Sequence, residues 1–351
     1  MEKKIDTKHI TRLMITTAVD HGIKEMADDP KRALRKLVDM GSQFSAGRFQ
    51  PAIFNAITTI LKNEDSHYYK LIQDFLFNTD FNSVKTFGIN MGYESWTYNA
   101  RVLREKSEEL GHNIPWVLGI SYNPFDSSTD SMNASNISKL IEEAKAYGIN
   151  TFGIHQESGF TSDTEIFDIF LKNEYSAFLY VLADAQITAL QASLLKKAAN
   201  VMLLINADAP YAKETCQMLY ESGVLFSIYK FYDENDIPNM SSPEYYAPLT
   251  AFNSSMIFMI RSQGCSVSAG EIIKNLRFND NVPAIVWDLS YDAQLINELL
   301  CGSSNILHFD SKGNVISPEN SNYNILTEGE NLQHIITSTM PKVVDNVLEN
   351  A

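Results

Sequence analysis

Ile114-Pro115-Trp116-Val117-Leu118-Gly119-Ile120 is an apolar run of buried-strand length, and it opens the stretch, ending at Phe160, that decides the fold. A polar loop follows, from Ser121 to Asn136. From Ile137 to Tyr147 the apolar residues Ile137, Leu140, Ile141, Ala144 and Tyr147 recur at helical spacing, with Lys139, Glu142, Glu143 and Lys145 on the other face. Asn136 or Ser135 can cap this helix, and Gly148 sits where a helix stops. Asn150-Thr151-Phe152-Gly153-Ile154 is the next strand. Two buried strands joined by an amphipathic helix make a right-handed βαβ crossover. The loop after the first strand and His155-Gln156-Glu157 after the second then share the carboxyl edge of a parallel sheet, where such folds bind ligands.

The pattern repeats downstream. Strands are expected at 116–121, 150–155, 177–182, 200–206, 224–230, 255–260 and 283–288, with helices between them, as at 163–171, 188–198, 211–221 and 268–276. Continuous apolar strands alternating with helices mean a covered parallel sheet. Six or seven units suggest a complete or partial (β/α) barrel of TIM type. Upstream, 1–112 reads as an all-helical region. Asp29-Pro30 starts one helix, Pro51 the next, 68–77 is a third and 95–110 a fourth. Its aromatic residues are read as core. The (β/α) region is assigned to 113–290. Residues 291–351 form a carboxy-terminal part with a hairpin, Ile306-Leu307-His308-Phe309 and Asn314-Val315-Ile316 around Gly313, and a tail helix.

Composition bounds the function. The 351 residues are 44% hydrophobic and 20% charged, an ordinary globular balance. A net charge of −15 argues against a nucleic-acid or anionic-membrane partner. Residues 2–12 are mixed polar and charged, without a signal-peptide pattern, and no apolar run is long enough to cross a bilayer. Cys216, Cys265 and Cys301 are dispersed, which fits a reducing cytoplasm.

The order of elements resembles a known family. A helical amino-terminal region precedes Asn113-Ile114-Pro115-Trp116, βα units follow, and Cys301-Gly302 precedes the hairpin Leu307 to Val315. This is similar to radical S-adenosylmethionine (radical SAM) enzymes of the subgroup with a helical extension and a SPASM-like, cysteine-bearing carboxy-terminal hairpin. The resemblance runs from about Lys31 to Ile336. It implies a partial barrel with its cofactor at the carboxyl edge.

The family's functional motifs are replaced. Its loop after the first strand carries Cys-x3-Cys-x2-Cys, three thiolates that hold a [4Fe–4S] cluster and leave one iron for S-adenosylmethionine. Here that loop reads Tyr122-Asn123-Pro124-Phe125-Asp126-Ser127-Ser128-Thr129-Asp130-Ser131-Met132-Asn133. Hydroxyls do not substitute for soft anionic thiolates. The family's Gly-Gly-Glu-Pro corresponds to His155-Gln156-Glu157-Ser158, its Thr-Asn-Gly turn to Leu182-Ala183-Asp184, and its Pro-Cys hairpin end to Ile316-Ser317-Pro318. The expectation is a protein with neither iron–sulfur cluster nor S-adenosylmethionine, and no metal.

What is left at the strand ends is polar: His155, Glu157, Asp184, Asn206, Asp208, Lys230, Arg261 and Asp288. His155 and Glu157 share one face of their strand. With Asp184 they are the candidates for a divalent-ion or acid–base site. Lys230 with Arg261 can bind an anion or neutralise Asp208 and Asp288. The simpler reading is that all these groups satisfy one another. His308 alternates with apolar neighbours, which turns it toward solvent, and Cys216 reads as a small core residue. The sequence therefore suggests a cytoplasmic, non-catalytic binding or regulatory partner in a small-molecule or peptide modification pathway. Its partner would be an active radical SAM enzyme or a small-molecule or peptide ligand. The alternative is an enzyme with a site rebuilt around His155, Glu157 and Asp184.

Overall fold

The computed structural model describes residues 7–26, 28–43, 49–126, 128–157, 164–183, 187–279, 282–316 and 322–343. The helical region contains α1 (Thr7–Glu25), α2 (Pro30–Gln43), α3 (Phe49–Leu61), α4 (Tyr68–Asn78), α5 (Phe81–Ile89), a π-helix (Asn90–Asn99) and α6 (Ala100–Leu110). Seven parallel strands follow: β1 (Val117–Tyr122), β2 (Thr151–Gln156), β3 (Ala177–Leu182), β4 (Val201–Asn206), β5 (Phe226–Tyr232), β6 (Met256–Arg261) and β7 (Ile285–Asp288). The helices after them are α7 (Ala134–Ala146), α8 (Glu165–Lys172), α9 (Ala189–Lys197), α10 (Ala212–Glu221), α11 (Pro243–Tyr246), α12 (Gly270–Asn279) and α13 (Leu289–Cys301). The short strands β8 (Leu307–Phe309) and β9 (Val315–Ile316) and helix α14 (Leu332–Thr339) complete the chain. A helical region, alternating strands and helices, and a short terminal hairpin follow one another as the sequence pattern implies.

The sheet runs β7-β6-β5-β4-β3-β2-β1-β8-β9. Each strand from β1 to β7 is parallel to its neighbour, β8 lies parallel to β1, and β9 is antiparallel to β8. β7 and β9 end the sheet, so the barrel is partial, not complete. Helix α13 follows β7 and is tied to the segments that precede β1 and β8. Its buried Asn297 accepts the Trp116 N–H at 2.9 Å and donates to the carbonyls of Ser303 and Asn305 at 2.7 and 2.6 Å. The Trp116 indole donates to Ala293 O at 3.0 Å. Side-chain hydrogen bonds thus hold a helix where strand-to-strand bonds are missing.

Strand pleating sorts side chains onto two faces. Leu118, Ile120, Phe152, Ile154, Phe178 and Leu203 face the surrounding helices in the main core. Ala177, Val181, Met202, Leu204, Tyr229 and Phe258 form a second cluster inside the curved sheet. The amino end of this interior is closed by the π-helix, where the sequence pattern gave a helix only from 95. Asn90 Nδ2 donates to the carbonyls of Glu174 and Ser176, both at 2.8 Å, just before β3. Ser95 and Thr151 share a hydrogen bond at 2.8 Å at the start of β2. Thr97 Oγ1 donates five residues back to Gly92 O, in step with the wide π turn. Arg12 of α1 locks this element through Glu94 at 2.7 Å and Asn90 at 2.9 Å.

Candidate functional site

The polar strand ends fall on both faces of the sheet. His155 lies on the interior face, on the wall of the lumen. Asn206 shares the parity of Met202 and Leu204 and so belongs to the same face. Its Nδ2 donates to Ala183 O at 3.1 Å. Lys230 shares the parity of Phe226 and Ile228, Arg261 that of Ile257 and Met259, and Asp288 that of Val286, all on the helix-facing side. Lys230 Nζ is clamped to both oxygens of Asp208, at 2.8 and 2.6 Å. Asp288 accepts from the Tyr232 hydroxyl at 2.7 Å and caps α13 through the Tyr291 N–H at 2.9 Å. Glu157 is exposed, with its N–H on Tyr122 O. Asp184 lies outside the described residues. Pleat parity thus separates His155 and Asn206 from Lys230, Arg261 and Asp288.

The interior face brings together a different set. β1 and β2 carry the same pattern in register, Gly119-Ile120-Ser121 beside Gly153-Ile154-His155. β8 adds His308, paired in register with Gly119. A Cβ on Gly119 would lie 2.9 Å from His308 Cγ, so the bare glycine lets the imidazole lie against the strand. Ser121 Oγ and His308 Nε2 share a hydrogen bond at 3.1 Å. His308 is therefore turned into the lumen and not toward solvent. The expectation failed because it weighed the strand alone: β8 pairs with β1 inside the main sheet, which gives its alternate residues an interior side. Burial pushes His308 down to about 4, with a smaller contribution from neighbouring His155. Burial also lowers His155, against the pull of Glu157. Both imidazoles are neutral at pH 7, each offering one donor and one acceptor nitrogen. The signal for this group was present in the sequence, as two glycines two residues ahead of Ser121 and His155 in adjacent buried strands.

Below these groups the lumen holds a cavity of about 320 Å³. Aromatic walls come from Trp96, Trp116, Phe258 and Trp287, and methionines from Met91, Met202 and Met256. Phe258 and Trp287, neighbours on β6 and β7, stack with their rings 6.5 Å apart and inclined by 17°. Asp292 reaches the wall, but its carboxylate is bound by Arg277 at 2.6 and 2.7 Å.

The donor set at the carboxyl edge does not fit an iron–sulfur cluster. The loop after β1 contains no cysteine. Its polar groups bond to one another: Ser131 Oγ to the carbonyls of Asp126 and Ser128, both at 2.9 Å, and Asn136 Nδ2 to Ser131 O at 2.7 Å. Met132 is buried, with its N–H on Ser311 O. Lys312 of the β8–β9 turn ion-pairs with Asp126 and holds its carboxyl down at about 2. Cys216 and Cys301 are buried in α10 and at the end of α13, and burial raises both thiols to about 12, away from the thiolate form. Cys265 lies in the loop after β6, with its Sγ 3.2 Å from Val267 O. Among the described residues, no three His, Cys, Asp or Glu side chains are grouped to hold a metal ion. No described helix is long and apolar enough to cross a membrane.

No family model and no curated protein matches the chain. Solved structures of Streptococcus suis SuiB are similar to it. SuiB bound to S-adenosylmethionine aligns at 12% identity and a TM-score of 0.45, over 68% of each chain. A second SuiB structure aligns at 13% and 0.46, over 68% of this chain and 70% of that one. SuiB bound to the precursor peptide SuiA aligns at 11% and 0.48, over 68% and 69%.

Proposed function

We propose that this chain is a cluster-free radical-SAM-like scaffold that acts as a non-catalytic binding or regulatory partner in a small-molecule or peptide modification pathway. The carrying observation is the loop after β1. Where the resemblance implies three thiolates, the chain has hydroxyl and amide side chains bonded to the loop's own backbone carbonyls, and a carboxylate paired with Lys312 of the β8–β9 turn. The imidazole of His155 stands where the resemblance implies bare glycine backbone for S-adenosylmethionine, which supports a protein that uses neither group. A cytoplasmic location goes with this reading. The partner is an active radical SAM enzyme, or a ligand held at the lumen. A thermal-shift screen against small molecules and peptides, followed by recovery of each stabilising compound, tests it. Compounds should raise the melting temperature and come back unaltered; conversion by this chain alone would count against the proposal.

One observation favours a second reading, an enzyme with a rebuilt site. Ser121, His155 and His308 form a polar group beside a mostly apolar wall, with a hydrogen-bonded hydroxyl–imidazole pair, and Glu157 lies near enough to act on both imidazoles. That reading uses His155 for proton transfer, with Glu157 and Asp184 as the other candidates. It requires conversion of a ligand that His155→Ala abolishes without loss of binding.

A further inference from the structure

We infer that the lumen is a binding site for a small, uncharged aromatic molecule carrying one hydrogen-bond acceptor, an inference that rests on the binding-protein reading and gives its ligand class. The cavity, about 320 Å³, is at the lower end of small-molecule pockets, about 300–1,000 Å³. Its walls favour a planar, polarisable occupant. Phe258 and Trp287 present stacked rings, and Met202 and Met256 present thioethers. Gly153 leaves part of the β2 wall as bare backbone: a Cβ built there meets nothing closer than Leu118 O at 4.0 Å. An aromatic face can therefore lie flat on the strand.

Charge is excluded by the same walls. Asp292 is neutralised by Arg277, and both imidazoles stay uncharged at neutral pH. Water is a poor occupant, because a buried water needs several polar partners and this wall offers few. One polar feature points to a specific ligand group. His155 lines the lumen with a neutral imidazole, whose N–H is a hydrogen-bond donor. An acceptor oxygen on the ligand would satisfy it, and a ligand without one would leave it unpaired.

A second apolar cavity, among α1 to α5 and the π-helix, lined by Ile15, Leu37, Phe54 and Gly88, supplies the control. A Cβ on Gly88 meets nothing within 4 Å, so a larger side chain can be added there as well. The probes are N-phenyl-1-naphthylamine, read by its fluorescence, and the pair 2-acetylnaphthalene and 2-ethylnaphthalene, read by displacement of it. Full-length protein is used, with folding of each variant checked by thermal melting. The expected result is saturable binding that weakens at least tenfold in Gly153→Val and in Leu179→Phe, a second lumen position, and is unchanged in Gly88→Leu. The acetyl compound should displace the probe about tenfold better than the ethyl compound, and His155→Phe should remove that preference. No saturable binding, binding that survives both lumen variants, loss in Gly88→Leu, or equal displacement by the two naphthalenes would overturn the inference. These outcomes do not depend on a cluster, so they leave the cluster-free reading to be judged by reconstitution.

Discussion

Ser121 Oγ and His308 Nε2 meet at 3.1 Å across the seam where β8 joins the parallel sheet. The contact links the start of the barrel to a strand nearly two hundred residues later in the chain. It also turns a histidine inward that the local sequence pattern turns outward.

Because burial holds His308 at about 4, below the value of about 6.5 for an unfolded chain, the folded state binds this proton more weakly than the unfolded state. Its contribution to stability is fully present above about pH 6.5, falls as the pH drops, and is gone below about 4. The shift at His155 acts in the same direction. We expect a loss on the order of 2 kcal/mol between pH 7 and pH 4 from His308, after allowance for its partial exposure. Urea unfolding at several pH values should show this slope in the native chain and a shallower one in His308→Asn.

Gly119 and His308 should behave as a coupled pair. Adding a methyl at Gly119 places it 2.9 Å from the His308 ring. Gly119→Ala should cost about 1–3 kcal/mol, as overpacking does. In a His308→Ala background the same change should cost much less, giving a coupling energy above about 1 kcal/mol in a double-mutant cycle. Equal costs in both backgrounds would mean that the ring does not press on the strand.

Asn297 makes three hydrogen bonds to backbone groups around α13. Asn297→Ala removes them all, and we expect a loss of about 3 kcal/mol or more in chemical denaturation. Asn297→Asp keeps the acceptor for the Trp116 N–H and loses both donors, so it places a carboxylate against two carbonyls. It should be at least as damaging as alanine. If both variants are tolerated, α13 does not depend on this residue to close the barrel.

The strands were legible in the sequence because each is a continuous apolar run between turn residues. β3 has its expected bounds, and β1, β2, β4 and β6 differ from theirs by one residue at one or both ends. The pattern stopped short where identity depends on distant partners. The π-helix is defined by contacts of Asn90 and Ser95 with β3 and β2, which no local period encodes. Place at a strand end alone groups all the candidate polar residues. The two-residue period that puts His155 and Glu157 on one face also separates Lys230, Arg261 and Asp288 from the lumen. Ser121 stands at the end of the expected strand 116–121 and opens the polar loop, and only the sheet register makes it the partner of His155.

Whether the proposed scaffold binds an iron–sulfur cluster can be read directly. The direct measurement is anaerobic reconstitution of the purified chain with iron and sulfide, followed by desalting, absorption and electron paramagnetic resonance spectra, and incubation with S-adenosylmethionine and a reductant. No protein-bound chromophore and intact S-adenosylmethionine are expected. A retained [4Fe–4S] signal with reductive cleavage of S-adenosylmethionine would contradict the proposal.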